Sequence, residues 1–298
     1  MKDTSEDKDL ENKPVEVKDE EETQENYMAI GMCLGMAIGT AIGLAMGNMV
    51  LGMSMGMCVG MAIGISVKRN GDESVSLPGE TGTKYTLAIF DLDGTLLYTL
   101  EDLGNSLNYA LEQNGFPTRT MEEVRRFVGN GIRKLVERGT PADASAEDVE
   151  KVYAVFREHY AAHKDDTTRP YDGTQELLQR LRDAGLRLAL VSNKAETATL
   201  GLCDKFFPGL FEAVVGGRDG RRLKPAPDPV DEVLTRLGVA REDAVYIGDS
   251  EVDIQTARNA GLDGITVSWG FRDVDFLKAR GAKQIVDTPE ELYSALTK

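Results

Sequence analysis

The chain has 298 residues, with 50 acidic side chains against 34 basic ones and a formal net charge of −16. That length bounds it at roughly one to two domains of ~150 residues, and the acidity, with no basic run, argues against nucleic acid as a partner. Three cysteines, Cys33, Cys58 and Cys203, odd in number and without a CxxC pair, exclude a disulfide framework and fit a reducing compartment.

Residues 1–26 hold eleven acidic and four basic side chains and almost nothing to bury. Their composition predicts a disordered acidic tail, solvated or used for docking. From Met28 to Val67 there is no charged residue, and glycine recurs at 31, 35, 39, 43 and 47, slips by one, then recurs at 52, 56, 60 and 64. Spacing by four lines these glycines along one helical stripe. In water each costs about 1 kcal/mol in a helix relative to alanine. In lipid, small residues every four positions let two helices approach closely. Residues 27–67 therefore resemble a glycine zipper. As one helix they would span ~60 Å at 1.5 Å per residue, about twice a ~30 Å hydrocarbon core. The slip near Asn48 predicts a hairpin of two spans, and Lys68-Arg69 favour a cytoplasmic exit. The alternative is a helical pair that self-assembles in water. Residues 68–83 are polar and glycine-rich and read as a linker.

The apolar run Tyr85 to Phe90 predicts a buried strand that stops at Asp91-Leu92-Asp93-Gly94-Thr95. Period-two geometry points Asp91 and Asp93 to the same side, and Gly94 permits a tight turn. Two carboxylates this close repel unless a cation joins them, and hard oxygen donors suit Mg²⁺. Residues 99–168 read as a helical insert, placed as a lid. Its segments are Leu103, Leu107, Ala110 and Leu111, then Met121, Val124, Arg125 and Val128, then Val149, Val152, Val155, Phe156 and Tyr160. Gly129-Asn130-Gly131, followed by Arg133, either presents amides and a cation to an anionic substrate or is an ordinary turn. His159 and His163 lack an HExxH glutamate and read as surface or packing residues.

Beyond the insert, short apolar strands alternate with helices. Strands are expected at Leu186–Val191, Ala213–Val215, Ala244–Ile247 and Ile265–Val267. The alternation implies an α/β, doubly wound parallel sheet, with ligands bound outside the strands' carboxyl ends. Asp91, Ser192 and Asp249 each follow a strand, and Lys224 lies in a loop after one. Asp91 is the expected nucleophile and Asp93 the expected acid and base. Thr95, Ser192 and Lys224 can meet phosphoryl oxygens. Asp249 completes a metal site, with Asp253 as a ligand or an orienter.

Asp91-Leu92-Asp93-Gly94-Thr95, Ser192-Asn193, Lys224-Pro225 and Gly248-Asp249-Ser250-x-x-Asp253 resemble, in order, the four motifs of the haloacid dehalogenase superfamily. The insert resembles that superfamily's α-helical cap. Residues 128–138 and Lys224-Pro225-Ala226-Pro227-Asp228-Pro229 resemble phosphoglycolate phosphatases within it. The resemblance implies a core of residues 84–98 and 169–298, a cap of 99–168, and Mg²⁺-dependent hydrolysis of a small phosphorylated metabolite through a phospho-Asp91 intermediate. It also implies that Asn193 belongs to the substrate site, and that Asp93 reaches the metal through its backbone carbonyl. The catalytic unit is expected in the cytoplasm, tethered to a membrane or self-assembled through residues 27–67. The resemblance also extends to related caps on sugar-phosphate mutases, pyrophosphatases and nucleotidases, and a zipper scaffold is the non-enzymatic alternative.

Overall fold

The chain divides into two units, Met1–Pro78 and Gly79–Lys298. The computed structural model describes residues 84–297 and, before them, only Thr40, which lies in a helix. The expectations for the acidic tail, the rest of the zipper hairpin and the linker lie outside the described residues. Among the described residues no helix is long and apolar enough to cross a membrane.

The elements run β1 (Leu87–Phe90), β2 (Leu97–Tyr98), α1 (Leu100–Gln113), α2 (Met121–Phe127), α3 (Ile132–Gly139), α4 (Ala146–His163), β3 (Arg169–Pro170), α5 (Thr174–Asp183), β4 (Arg187–Ala195), α6 (Glu196–Phe206) and β5 (Ala213–Gly217). They continue with α7 (Asp228–Leu237), β6 (Ala244–Gly248), α8 (Glu251–Ala260), β7 (Asp263–Val267), α9 (Val274–Ala279), β8 (Gln284–Val286) and α10 (Pro289–Thr297). Six strands form one sheet in the order β5-β4-β1-β6-β7-β8, and every pairing in it is parallel.

Alternation along the strands assigns side chains to the two faces. Ala88, Phe90, Leu188, Leu190, Val245 and Ile247 pack on one face with Leu177, Leu178 and Leu181 of α5 and Leu292 and Leu296 of α10. Leu87, Ile89, Ala189, Val191, Ala244 and Tyr246 pack on the other with Val230, Val233 and Leu234 of α7 and Ala257 and Ala260 of α8. Each fully buried Leu, Ile or Phe contributes about 1.5–3 kcal/mol, so β1, buried on both faces, anchors the layers. Cys203 joins the first cluster as a buried free thiol, its pKa pushed up to about 12 by burial.

The four helices α1–α4 bury a third cluster of their own, with Leu103, Leu107, Leu111, Val124, Leu135, Val136, Val152 and Phe156 at its centre. Capping boxes start α2 at Thr120/Glu123 and α4 at Ser145/Asp148. The chain enters this helical layer through β2 and leaves it through β3, which pair antiparallel. The Asp102 carboxylate ties the two connections by accepting from Thr167 N at 3.0 Å and Thr168 N at 2.8 Å.

The short strands β2 and β3 are not among the expected elements, and other features depart from them as well. Strand β8 has no counterpart among the expected strands, because three residues set between the polar Lys283 and Asp287 are too short to show a period. Helix α3 follows Gly131 directly, with Ile132, Leu135 and Val136 on its inner side; eight residues, half of them charged, hid its stripe. Strand β4 runs on through Ser192-Asn193-Lys194, with its register shifting between Val191 and Ala195.

Candidate active site

Strand β1 lies between β4 and β6, so the connections diverge from it and leave a crevice at the carboxyl ends. Asp91 follows Phe90, with its amide donating to Ile247 O at 2.9 Å. Gly94, at φ +89°, turns the chain back, and its amide donates to Leu97 O at 2.9 Å. Close packing makes that glycine necessary: a Cβ there would stand 2.7 Å from Asp249 Cγ. The ends of β4 and β6 bring Ser192, Asn193, Lys194 and Asp249 to the same rim.

Two lysines divide the carboxylates between them. Lys224 Nζ stands 2.7 Å from Asp91 Oδ1 and 2.8 Å from Asp253 Oδ1, and 3.0 Å from Tyr246 Oη. Lys194 Nζ donates to both oxygens of Asp93, at 2.8 and 2.9 Å. Both lysines are buried. Burial pushes their ammonium groups down, but the carboxylates beside them outweigh it and hold both above the ordinary lysine range. Asp253 is fully engaged. Its Oδ2 accepts from Ser250 N at 3.1 Å and Ser250 Oγ at 2.6 Å, and its Oδ1 also takes Tyr246 Oη at 3.2 Å.

Asp91, Asp249 and Asp253 each offer a carboxylate oxygen within 4.8 Å of the others, and all three are buried. Burial drives Asp91 well above the usual carboxylate range despite Lys224. Burial and the neighbouring Asp253 push Asp249 up to about 7. Four carboxyl groups (Asp91, Asp93, Asp249, Asp253) stand against two ammonium groups, a surplus of acidic oxygen donors at one sheet edge. An all-oxygen donor set with that surplus fits a small divalent cation such as Mg²⁺. Asp249 is held for it by Phe271 N, which donates to Oδ2 at 2.7 Å, and by Thr95 Oγ1, which donates to Oδ1 at 3.4 Å.

The pocket above these groups is lined by Asp91, Asp93, Ser192, Asn193, Lys194, Lys224 and Asp249 from the sheet edge. The helical layer adds Leu103, Val128, Gly129, Gly131, Ile132 and Leu135. Asn193 joins the two sides: its Nδ2 donates to Gly129 O at 3.1 Å and Lys224 O at 3.0 Å, and its Oδ1 accepts from Lys224 N at 2.8 Å. Three expected substrate residues do not reach the wall. Thr95 is fully buried beneath it and serves Asp249. Asn130 turns its Oδ1 to Arg138 Nη2 at 2.8 Å. Arg133 is drawn off by opposite charge, with its Nη1 on Glu150 Oε2 at 2.9 Å and Glu137 close by. His159 and His163 stack on each other, with His159 Nδ1 3.0 Å from Ser106 Oγ and His163 Nδ1 2.7 Å from Asp166.

Lys194, Phe271 and Arg272 also line the pocket, with no motif in the sequence to mark them. Lys194 stood in view as the third polar residue after a strand, but nothing in the sequence joins it to Asp93. Arg272 lines the pocket, pairs with Glu251 at 2.8 Å and donates to Arg125 O at 2.6 Å and Val128 O at 2.7 Å, so it straps the sheet edge to the end of α2.

A family model for haloacid dehalogenase-like hydrolases matches residues 88–267, and a glycine zipper membrane protein model matches residues 21–70. The chain is 35% identical over 216 residues to a phosphoglycolate phosphatase of Caulobacter vibrioides, covering 70% of this chain and 91% of that one. A candidate phosphoglycolate phosphatase from Lactobacillus delbrueckii subsp. bulgaricus superposes with a TM-score of 0.69 at 42% identity, covering 72% of this chain and all (100%) of that one. CbbY from Rhodobacter sphaeroides, solved in complex with phosphate, does so at 0.59 and 25% identity, covering 72% and 100%. With four sequence-distant polar segments gathered on one sheet edge, the chain belongs to the haloacid dehalogenase-like hydrolases, as a phosphomonoester hydrolase preceded by a glycine-zipper segment.

Proposed function

We propose that this hydrolase cleaves a small phosphomonoester, with 2-phosphoglycolate the leading substrate, through a phospho-Asp91 intermediate. The observation that carries the reading is the pairing of Asp91 with Lys224 at 2.7 Å, on a pocket wall that also holds Asp93. An Asp91 carboxylate oxygen attacks phosphorus as the ester P–O bond breaks, and Asp93 gives its proton to the departing alcohol. Water then yields a proton to Asp93 and attacks phosphorus, and the bond to Asp91 breaks to restore the carboxylate. Lys224 and Ser192 meet the phosphoryl oxygens. Asp91, Asp249 and the Asp93 backbone carbonyl would hold Mg²⁺, which when bound supplies charge neutralisation for the phosphoryl oxygens. Asp253, with both oxygens engaged, orients Lys224. Residues 99–168 act as the cap over a core of 84–98 and 169–298, and the phosphoglycolate phosphatase relatives support the substrate.

The test is phosphate release by the full chain with Mg²⁺ or EDTA across 2-phosphoglycolate, pyrophosphate, nucleoside monophosphates and β-glucose 1-phosphate, with Asp91→Asn as control. Metal-dependent turnover highest on 2-phosphoglycolate is expected. Another preferred ester would replace the substrate and keep the mechanism. Transfer to a sugar phosphate instead of water would make the chain a mutase.

Residues 27–67 tether the catalytic unit to the cytoplasmic face of a membrane as a zipper hairpin. The uncharged stretch, the glycine spacing and the glycine-zipper match at residues 21–70 support this. Separation of membrane and soluble pools tests it, and full recovery without detergent in the soluble pool would sink the tether.

A further inference from the structure

Resting on the reading of Asp93 as acid and base, we propose that Lys194 is the positioning residue that fixes the Asp93 carboxyl at the pocket, and that the cap holds Lys194 in place through Tyr160. The contact is bidentate, 2.8 Å to Oδ1 and 2.9 Å to Oδ2, so it fixes the rotation of the carboxyl as well as its place. The side chain of Lys194 is 2% exposed and that of Asp93 17%, so the ammonium is sealed while the carboxyl still opens to the pocket. Among the described residues Asp93 is the one carboxylate within ion-pair distance of Lys194; the Asp91 and Asp253 side chains belong to Lys224.

A side chain of the cap meets Lys194. Tyr160, near the end of α4, lies with its ring centroid 5.1 Å from Nζ. A cation over an aromatic face is attracted to it, more strongly once water is excluded. Tyr160 is itself buried, in the same cluster as Leu103, Leu107 and Phe156. The path therefore runs from cap packing, through one ring and one ammonium, to the carboxyl that handles the proton. Lys194 touches no reacting atom in this scheme and acts only through Asp93.

A double-mutant cycle separates this from a general structural role. The variants are Lys194→Met, Asp93→Asn and the pair, in the full chain, assayed on the best alkyl phosphate with Mg²⁺. Lys194→Met is expected to lower kcat by about 100-fold or more, the usual share of a placed acid and base, with KM little changed, and to cost under about threefold in the Asp93→Asn background. The pair leaves no orphaned buried charge and so guards against loss of the fold. p-Nitrophenolate leaves without a proton, so its release with enzyme in excess should suffer far less than alkyl ester turnover. Lys194→Arg should recover part of the loss. Tyr160→Leu should reproduce part of it, again only where Asp93 is intact, and full activity in that variant would overturn the cap's share. Wild-type turnover with a dead Asp91→Asn control secures the phosphatase reading first. With that in hand, equal losses in both backgrounds or on both esters overturn this inference alone.

Discussion

Lys224→Met removes an ammonium that serves two buried carboxylates, at 2.7 Å from Asp91 and 2.8 Å from Asp253, while keeping most of the side chain's volume. The lysine is 2% exposed and its partners 10% and 3%, so water cannot take its place. Breaking a buried pair by deleting one member costs about 3–5 kcal/mol. In a unit of this size each kcal/mol shifts Tm by about 2–4 °C, which predicts a fall of about 6–20 °C. The loss depends on pH in a definite direction. Burial already raises Asp91 in the folded state, and without Lys224 it rises further. A carboxyl with a raised folded value binds its proton more tightly when folded, so its contribution to stability falls as pH climbs above the unfolded value of ~3.8. The variant should therefore lose more at pH 8 than at pH 5. Thermal unfolding in EDTA at both pH values reads this out. A variant within about 1 kcal/mol of wild type at pH 8 would refute the claim that Lys224 neutralises two buried charges.

Three further outcomes follow from the same site. Asp249, pushed up to about 7 by burial and Asp253, must lose its proton to meet a cation; stabilisation by Mg²⁺ should therefore be larger at pH 8 than at pH 6, and equal Tm gains would contradict it. Gly94→Ala forces a side chain into φ +89° and against Asp249 Cγ at 2.7 Å, so Mg²⁺ affinity by calorimetry should fall at least about tenfold, beyond the roughly 1–2 kcal/mol of backbone strain. Asp102→Ala leaves Thr167 N and Thr168 N without the acceptor that ties β3 to the start of α1; a loss of about 1–3 kcal/mol is expected, with faster hydrogen exchange at residues 164–170.

The Asp91–Thr95 segment was legible because a buried strand that ends in Asp-x-Asp-Gly-Thr is dictated by local rules: apolar alternation, a reversal at glycine, and carboxylates that must be compensated. Ser192, Lys224 and Asp249 were legible for a related reason, since parallel strands deliver their carboxyl ends to one edge. Lys194 was not, because its meaning depends on a partner 101 residues earlier in the chain. The partner of Arg133 was hidden for the same reason: a cation after a glycine loop gives no sign along the chain that Glu150, 17 residues on, accepts from it.

By itself the sequence determined the alternation of the central strands with helices, the identity of the acid-bearing turns and the spacing of the N-terminal glycines, because each of these follows from spacing along the chain. Only the tertiary structure decided which lysine compensates which carboxylate, that Asp253 is spent on Lys224 and Ser250, and that Thr95 serves Asp249 from beneath the pocket. Ion pairs and hydrogen bonds are settled at about 3 Å, and period-two and period-four patterns fix which face a residue takes but carry no information about distance across the fold.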